Sequence, residues 1–252
     1  MNDEPITINL TIPEGWSQLS DRDLLFVYRL IAAEMNADQL KLLCLMRWAG
    51  LKYRHRYGDD FVLRHGKIDF VVTAVQLAEL LPFFSWLDEP AQEPRLLSRI
   101  GRHRPFAADF TDVAFEKYIV CDNLFQGYLA TQRDCFLLEM ASVAYGHRFK
   151  SLRPEEAISI FFWFVALKDY LARRYSNFFR AATPDVDSSN LLGLPQADPR
   201  RLQDTVNIML RALTKGDITK TAEIIALDTH LALTELDAQA REYHELNSKI
   251  KS

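Results

Sequence analysis

Apolar residues recur with helical spacing from Asp217 to Lys251 without an intervening glycine or proline, which predicts one long helix with Asp217 as its N-cap. From Ile218 to Leu233 the apolar positions are dense, the pattern of a helix packed on more than one side. Further on they thin to Leu233, Leu236, Ala240, Tyr243, Asn247 and Ile250, the three-four alternation of a coiled-coil seam. These six are the candidate partner-binding residues. A polar residue such as Asn247 in a seam selects register and partner at a cost in stability. The seam fits two arrangements: contact with another helix, including self-association, or packing on the chain's own helix near 200–214. Under the first, a cut after Thr234 leaves the rest folded. Asp237 with Arg241, and Glu245 with Lys249, are opposite charges four residues apart.

Near the N-terminus the period is two. Ile6, Ile8, Leu10 and Ile12 alternate with Thr7, Asn9 and Thr11, predicting a half-buried strand over 6–12 that ends at Pro13. Ser20, with Asp23 three residues on, opens a helix whose apolar face runs through Leu24, Val27, Tyr28 and Ile31 to about Met35. Asn36 or Asp38 starts a second helix carrying Leu40, Leu43, Cys44, Leu45 and Trp48, with Gly50 just past its end. Two β-rich runs then flank His65-Gly66. With those two residues as the turn, Leu63 falls opposite Ile68 and Phe61 opposite Phe70, while Val62, Arg64, Lys67 and Asp69 line the other face. Thr73 and Gln76 make a capping box for a short helix that Pro82 disturbs.

Residues 88–109 break the pattern with Pro90, Pro94, Gly101 and Pro105, and concentrate Arg95, Arg99, Arg102, His103 and Arg104. Helices follow from Thr111 or Asp112 through Tyr128, from about Gln132 to Gly146, and from Pro154 onward. The last is apolar nearly all round (Ile158, Phe161 to Val165, Leu167) and should be the central core helix. The segment 182–199, with three prolines, reads as a loop before the final helices.

The expected fold is mainly α, of α+β type. It comprises a multi-helix domain, a small N-terminal antiparallel β-hairpin or sheet, and a long C-terminal helix. Residues 1–88 form an N-terminal α+β part and 110–252 a helical part, with one continuous domain also compatible.

Composition narrows the function. With 252 residues, 48% hydrophobic and 25% charged, the chain can bury a substantial core. Its net charge of −4 lacks the overall basic field of a general nucleic-acid binder, although local clusters survive that average. Cys44, Cys121 and Cys135 form no C-x-x-C pair and sit among apolar residues, reading as reduced core thiols in a cytoplasmic protein. The acidic start Met1-Asn2-Asp3-Glu4 is no secretory signal, and the apolar run from Ile158 to Leu167 is too short to span a bilayer.

Catalytic patterns are not found. No H-E-x-x-H, zinc-knuckle spacing, glycine-rich phosphate loop or G-x-S-x-G is present, so no catalytic residue, metal or cofactor is predicted. Cys135 with His147 is a nucleophile pair only on paper, and Glu155-Glu156 reads as a charged first helical turn. Lys52, Tyr53, Arg54 and Arg56 interleave cations with aromatics as nucleic-acid surfaces do, and Arg99, Arg102 and Arg104 could join them. The competing reading is a solvated loop, since Asp59 and Asp60 follow at once.

Several short phrases resemble uncharacterised prophage-encoded proteins associated with phage tail assembly, including small helical tail-assembly chaperones. They are Ile12-Pro13-x-x-Trp16-x-x-Leu19, Phe115-Glu116-Lys117-Tyr118-Ile119 with Asp122, Tyr145, and Leu213-Thr214-Lys215-Gly216-Asp217-Ile218. The resemblance implies a non-enzymatic assembly role in the host cytoplasm, exercised through protein partners, and it transfers no site residue.

Overall fold

The computed structural model describes residues 12–181 and 199–251, so residues 6–11 of the expected strand and 182–198 of the expected loop lie outside the described residues. The chain is mainly helical with one small antiparallel sheet, and it divides into two compact units, 1–91 and 92–252. The segment 92–109, left between parts by the sequence pattern, belongs to the second unit.

In the first unit, Ser20 caps α1 (Asp21–Ala32) by accepting the Asp23 N–H, and Asn36 caps α2 (Ala37–Trp48) by accepting the Gln39 N–H. Gly50, at φ +63°, takes the left-handed position just past the end of α2. The chain then enters a meander of β1 (Leu51–Tyr57), β2 (Asp60–His65) and β3 (Ile68–Val72) in that spatial order. A capping box at Thr73 and Gln76 opens α3 (Ala74–Leu80), and a 3-10 segment, Leu81–Asp88, follows. Leu45, Ala49, Leu51, Leu63, Leu77 and Phe84 form the core, with Trp48, Phe61, Phe70 and Trp86 packed on it. Trp16 locks the entry to α1, its indole N–H donating to the Trp86 and Glu89 carbonyls.

Two sequence expectations change here. The hairpin turn is Gly66-Lys67, not His65-Gly66: His65 pairs with Ile68, Leu63 with Phe70 and Phe61 with Val72. Gly66 takes the left-handed backbone that the first position of such a turn demands, at φ +60°. This register sets Arg64 opposite Asp69, whereas the expected one would have opposed Arg64 to Lys67. The shift is two residues along β3, so Phe61, Leu63, Ile68 and Phe70 still share one face. The other change is β1 itself, a strand where the pattern gave a solvated loop. It pairs along β2 with a bulge at Arg54, between Tyr53 opposite Leu63 and His55 opposite Val62.

The second unit is built around α6 (Pro154–Arg174), in which Ile160, Trp163, Phe164, Leu167 and Leu171 are all fully buried. Before it come α4 (Phe115–Thr131) and α5 (Cys135–Tyr145), joined through Gln132, whose left-handed backbone ends α4. Gly127 in α4 admits the Phe136 ring so closely that a Cβ there would sit 2.6 Å from it. The segment before α4 is irregular, not helical from Thr111, with Phe110 and Asp112 at positive φ. The Trp163 indole N–H donates to the Ala108 carbonyl at 2.8 Å and pins this segment against α6. After α7 (Ser176–Ala181) and α8 (Pro199–Thr214), the chain ends in α9 (Thr221–Ala226) and α10 (Thr229–Lys251).

The single long helix expected from Asp217 is therefore broken. Asp217 caps a 3-10 turn, Ile218–Lys220, and the backbone turns extended at Leu227. Long-range bonds impose the break: the Phe115 N–H donates to the Leu227 carbonyl at 2.8 Å and the Thr229 N–H to the Val113 carbonyl at 2.9 Å. Asp228 then caps α10, its carboxylate accepting the His230 and Leu231 N–H groups.

Candidate functional site

The candidate seam on α10 is divided by burial. Leu233 and Leu236 are in the core of the second unit, 0% and 4% exposed, where α10 packs against α4, α7 and α8. They are not partner contacts: closely spaced apolar residues on several faces are buried by the chain's own helices. Ala240 is half-buried, and beyond it the helix runs into solvent, with Tyr243 65% and Leu246 60% exposed and Asn247 half-buried. The Ile250 side chain lies outside the described residues. Leu246, which the seam omitted, follows Tyr243 at a three-residue step and lies on the same side of the helix. A cut after Thr234 would remove Leu236 and Asp237, both built into the second unit, so the separable part begins after Ala240.

The expected Asp237–Arg241 pair rearranges, and the Lys249 side chain expected to meet Glu245 lies outside the described residues. Asp237 bonds to α7, and Arg241 lies 3.9 Å from Glu245. A solvent-exposed pair of that kind contributes about 0–1 kcal/mol.

Lys52, Tyr53, Arg54 and Arg56 all lie on edge strand β1, in the first unit, and all are exposed. Of the three cations, Arg56 has its charge answered locally. Arg56 pairs with Asp59 at 2.9 Å and donates to the Gly58 carbonyl. Lys52 faces Arg64, which itself forms a two-bond pair with Asp69 at 2.6 Å per bond. The Arg64 guanidinium holds the Asp69 carboxyl below the usual carboxylate range. Arg99, Arg102 and Arg104 belong to the second unit, exposed on a turn in which Ile100 and His103 exchange backbone hydrogen bonds of 3.1 Å.

Of the residues weighed for catalysis, Cys44 and Cys121 are core thiols that burial pushes up to about 12, leaving both protonated at neutral pH. Cys135 is exposed at the start of α5, against the expectation of a core position. His147 stacks on His103. Glu155 and Glu156 are buried in the first turn of α6, and both pair with Arg153.

One charged group escaped the sequence reading: Lys168 on α6 bonds to Asp122 on α4 at 2.9 Å. Burial pushes Lys168 down, but Asp122 and the Tyr118 hydroxyl outweigh it and hold the ammonium charged. Tyr118 is itself pushed up to about 12 by burial, so this pairing ties helices together and activates no phenol. Among the described residues no group of three or more His, Cys, Asp or Glu could hold a metal ion, and no helix is long and apolar enough to cross a membrane. No family model, curated protein or solved structure matches the chain.

Proposed function

We propose that this is a non-enzymatic assembly or adaptor protein that engages a helical protein partner, or a second copy of itself, through the last turns of α10. The observation that carries the reading is the continuation of α10 past Leu236, its last buried residue among the described ones, into solvent with Tyr243 and Leu246 exposed. An isolated helical stretch of about ten residues is marginal in water, and a covering helix would bury both side chains and stabilise it. A half-buried Asn247 in the same stretch suits a contact that must choose its partner. The process proposed is phage-type tail morphogenesis in the cytoplasm, and it rests on the resemblance alone.

The test is the double variant Tyr243→Glu/Leu246→Glu, read by sedimentation velocity and by co-purification from the native host. Both side chains face solvent, so the variant should fold and melt like the parent while losing its assembly or its co-purifying protein. An unchanged assembly state in the variant contradicts the reading.

A further inference from the structure

Of the second unit's cations that have no ion-pair partner among the described residues, five fall on two segments: Arg99, Arg102, Arg104, Arg148 and Lys150. All five are exposed, and the two segments that carry them, 95–104 and 146–153, contain no acidic residue. In a chain of net charge −4 that is a marked local excess.

The fold brings these segments together and fixes them. The Tyr145 hydroxyl donates to the Leu97 carbonyl at 2.8 Å, and the Phe106 N–H donates to the Ala144 carbonyl at 2.9 Å. At the junction the His103 and His147 rings stack face to face, centroids 3.7 Å apart and 8° from parallel, with Phe149 edge-on to His147 at 5.1 Å. Each loop is also held internally. Buried Ile100 anchors the first, with Gly101 at φ +60° making its turn. In the second, Gly146 ends α5 in the left-handed region, the His147 N–H reaches the Ser142 carbonyl, and the Phe149 N–H bonds the Ser142 hydroxyl. His103 is held below its ordinary value by desolvation first, then by His147 and Arg102.

We propose that this His103–His147 platform, with Arg99, Arg102, Arg104, Arg148 and Lys150 around it, binds single-stranded nucleic acid without sequence preference. Guanidinium forks match phosphate oxygens, and loops already held by the fold spend little backbone entropy on binding them. Exposed His147 and half-buried Phe149 offer ring faces and edges among those cations, the combination that holds unstacked bases. A ligand needing charge alone would have no use for the rings. Strand β1, by contrast, has Arg56 already paired and Arg64 committed to Asp69 beside it. The inference is independent of the α10 reading.

The test is fluorescence anisotropy of a labelled oligothymidylate of roughly 20 nucleotides, long enough for a single-strand site, titrated with the full chain across a salt series. Binding is expected to weaken with salt with a log-log slope of about −3.5, as five cations on a single strand imply. Arg102→Glu/Arg148→Glu should weaken binding by about tenfold or more at low salt with an unchanged melting temperature. Phe149→Leu, or His147→Ala if the first lowers the melting temperature, should weaken oligonucleotide binding by about fivefold while leaving inorganic polyphosphate binding alone. Three results overturn the proposal: no anisotropy change at low salt, loss of binding with Lys52→Glu/Arg54→Glu instead of Arg102→Glu/Arg148→Glu, or ring variants that bind oligonucleotide as the parent does.

Discussion

Asp237 on α10 caps α7 at Asn177: its carboxylate accepts the Asn177 backbone N–H at 2.8 Å, the Phe178 N–H at 3.0 Å and the Asn177 side-chain amide at 2.9 Å. A helix of six residues cannot stand alone, and its unpaired N–H groups are satisfied here by a side chain about sixty positions away in sequence. Asp237→Ala should cost about 1–2 kcal/mol, the usual loss for a cap. Burial pushes this carboxyl up, but the Asn177 and Phe178 hydrogen bonds outweigh it and hold it below its ordinary value. Its contribution is therefore full above the unfolded carboxylate value of about 4 and is lost as pH falls through the lower folded value. Melting curves should show the parent and Asp237→Ala converging in acid. A gap that persists at the lowest pH at which both fold counts against the cap.

The Lys168–Asp122 pair has the opposite pH sign. Lys168 is raised in the folded state, so its contribution is complete below the unfolded lysine value of about 10.4 and disappears as pH rises through the folded value. Lys168→Met should destabilise by about 2 kcal/mol, chiefly by leaving Asp122 half-buried and unpaired, and Lys168→Met/Asp122→Leu should recover most of it. Chemical denaturation of the three variants supplies the cycle. A double variant no better than the single one shows that the pair is not coupled.

In the first unit, Leu63→Asp should destabilise far more than Val62→Asp. Leu63 is 2% exposed in the core, and an unpaired carboxylate there costs several kcal/mol, whereas Val62 faces Val71, itself 54% exposed. Equal melting temperatures for the two would show that the two faces are not buried differently, and a larger loss for Val62→Asp would show them reversed.

Gly127→Ala offers a case in which helix propensity and packing disagree. Alanine should favour an α-helix by about 1 kcal/mol over glycine, but its Cβ would meet the Phe136 ring at 2.6 Å. The expected outcome is a lower melting temperature for Gly127→Ala, and a gain from the same change in a Phe136→Leu background. A gain in both backgrounds would mean that the ring moves aside freely.

How much of this was legible follows from where each signal resides. The caps at Ser20 and Thr73, Asn36 of the two starts offered for α2, and the central place of α6 are local and lie where the pattern puts them. On α6, however, Ile158, Phe161, Phe162 and Val165 are only half-buried while Ile160 and Leu171 are in the core. The sheet faces were readable from alternation, but the turn depended on Gly66 needing the first left-handed position and on Arg64 meeting Asp69. Strand β1 gave no periodic signal because only Leu51 is buried, and a strand wet on both faces has no apolar alternation. The break before α10 has no proline or glycine to announce it, since Val113 and Phe115 create it through space. For the same reason the seam ran together Leu236, which the protein buries itself, and Tyr243, which it leaves exposed. The contribution of Arg148 and Lys150 beside Arg102 was also out of reach, because the contact between their loops is tertiary.

The central claim, that the end of α10 is a contact surface and not part of the core, is tested most directly by ending the chain after Ala240. Among the described residues, every α10 residue with a buried side chain, and Asp237, remains in that truncated protein. Sedimentation velocity and thermal melting of the truncated and intact chains should show the same cooperative unfolding, within a few degrees, and an assembly or partner complex formed by the intact chain alone. An intact chain that is monomeric and partnerless in native extracts, or a truncated chain that no longer folds, would contradict it.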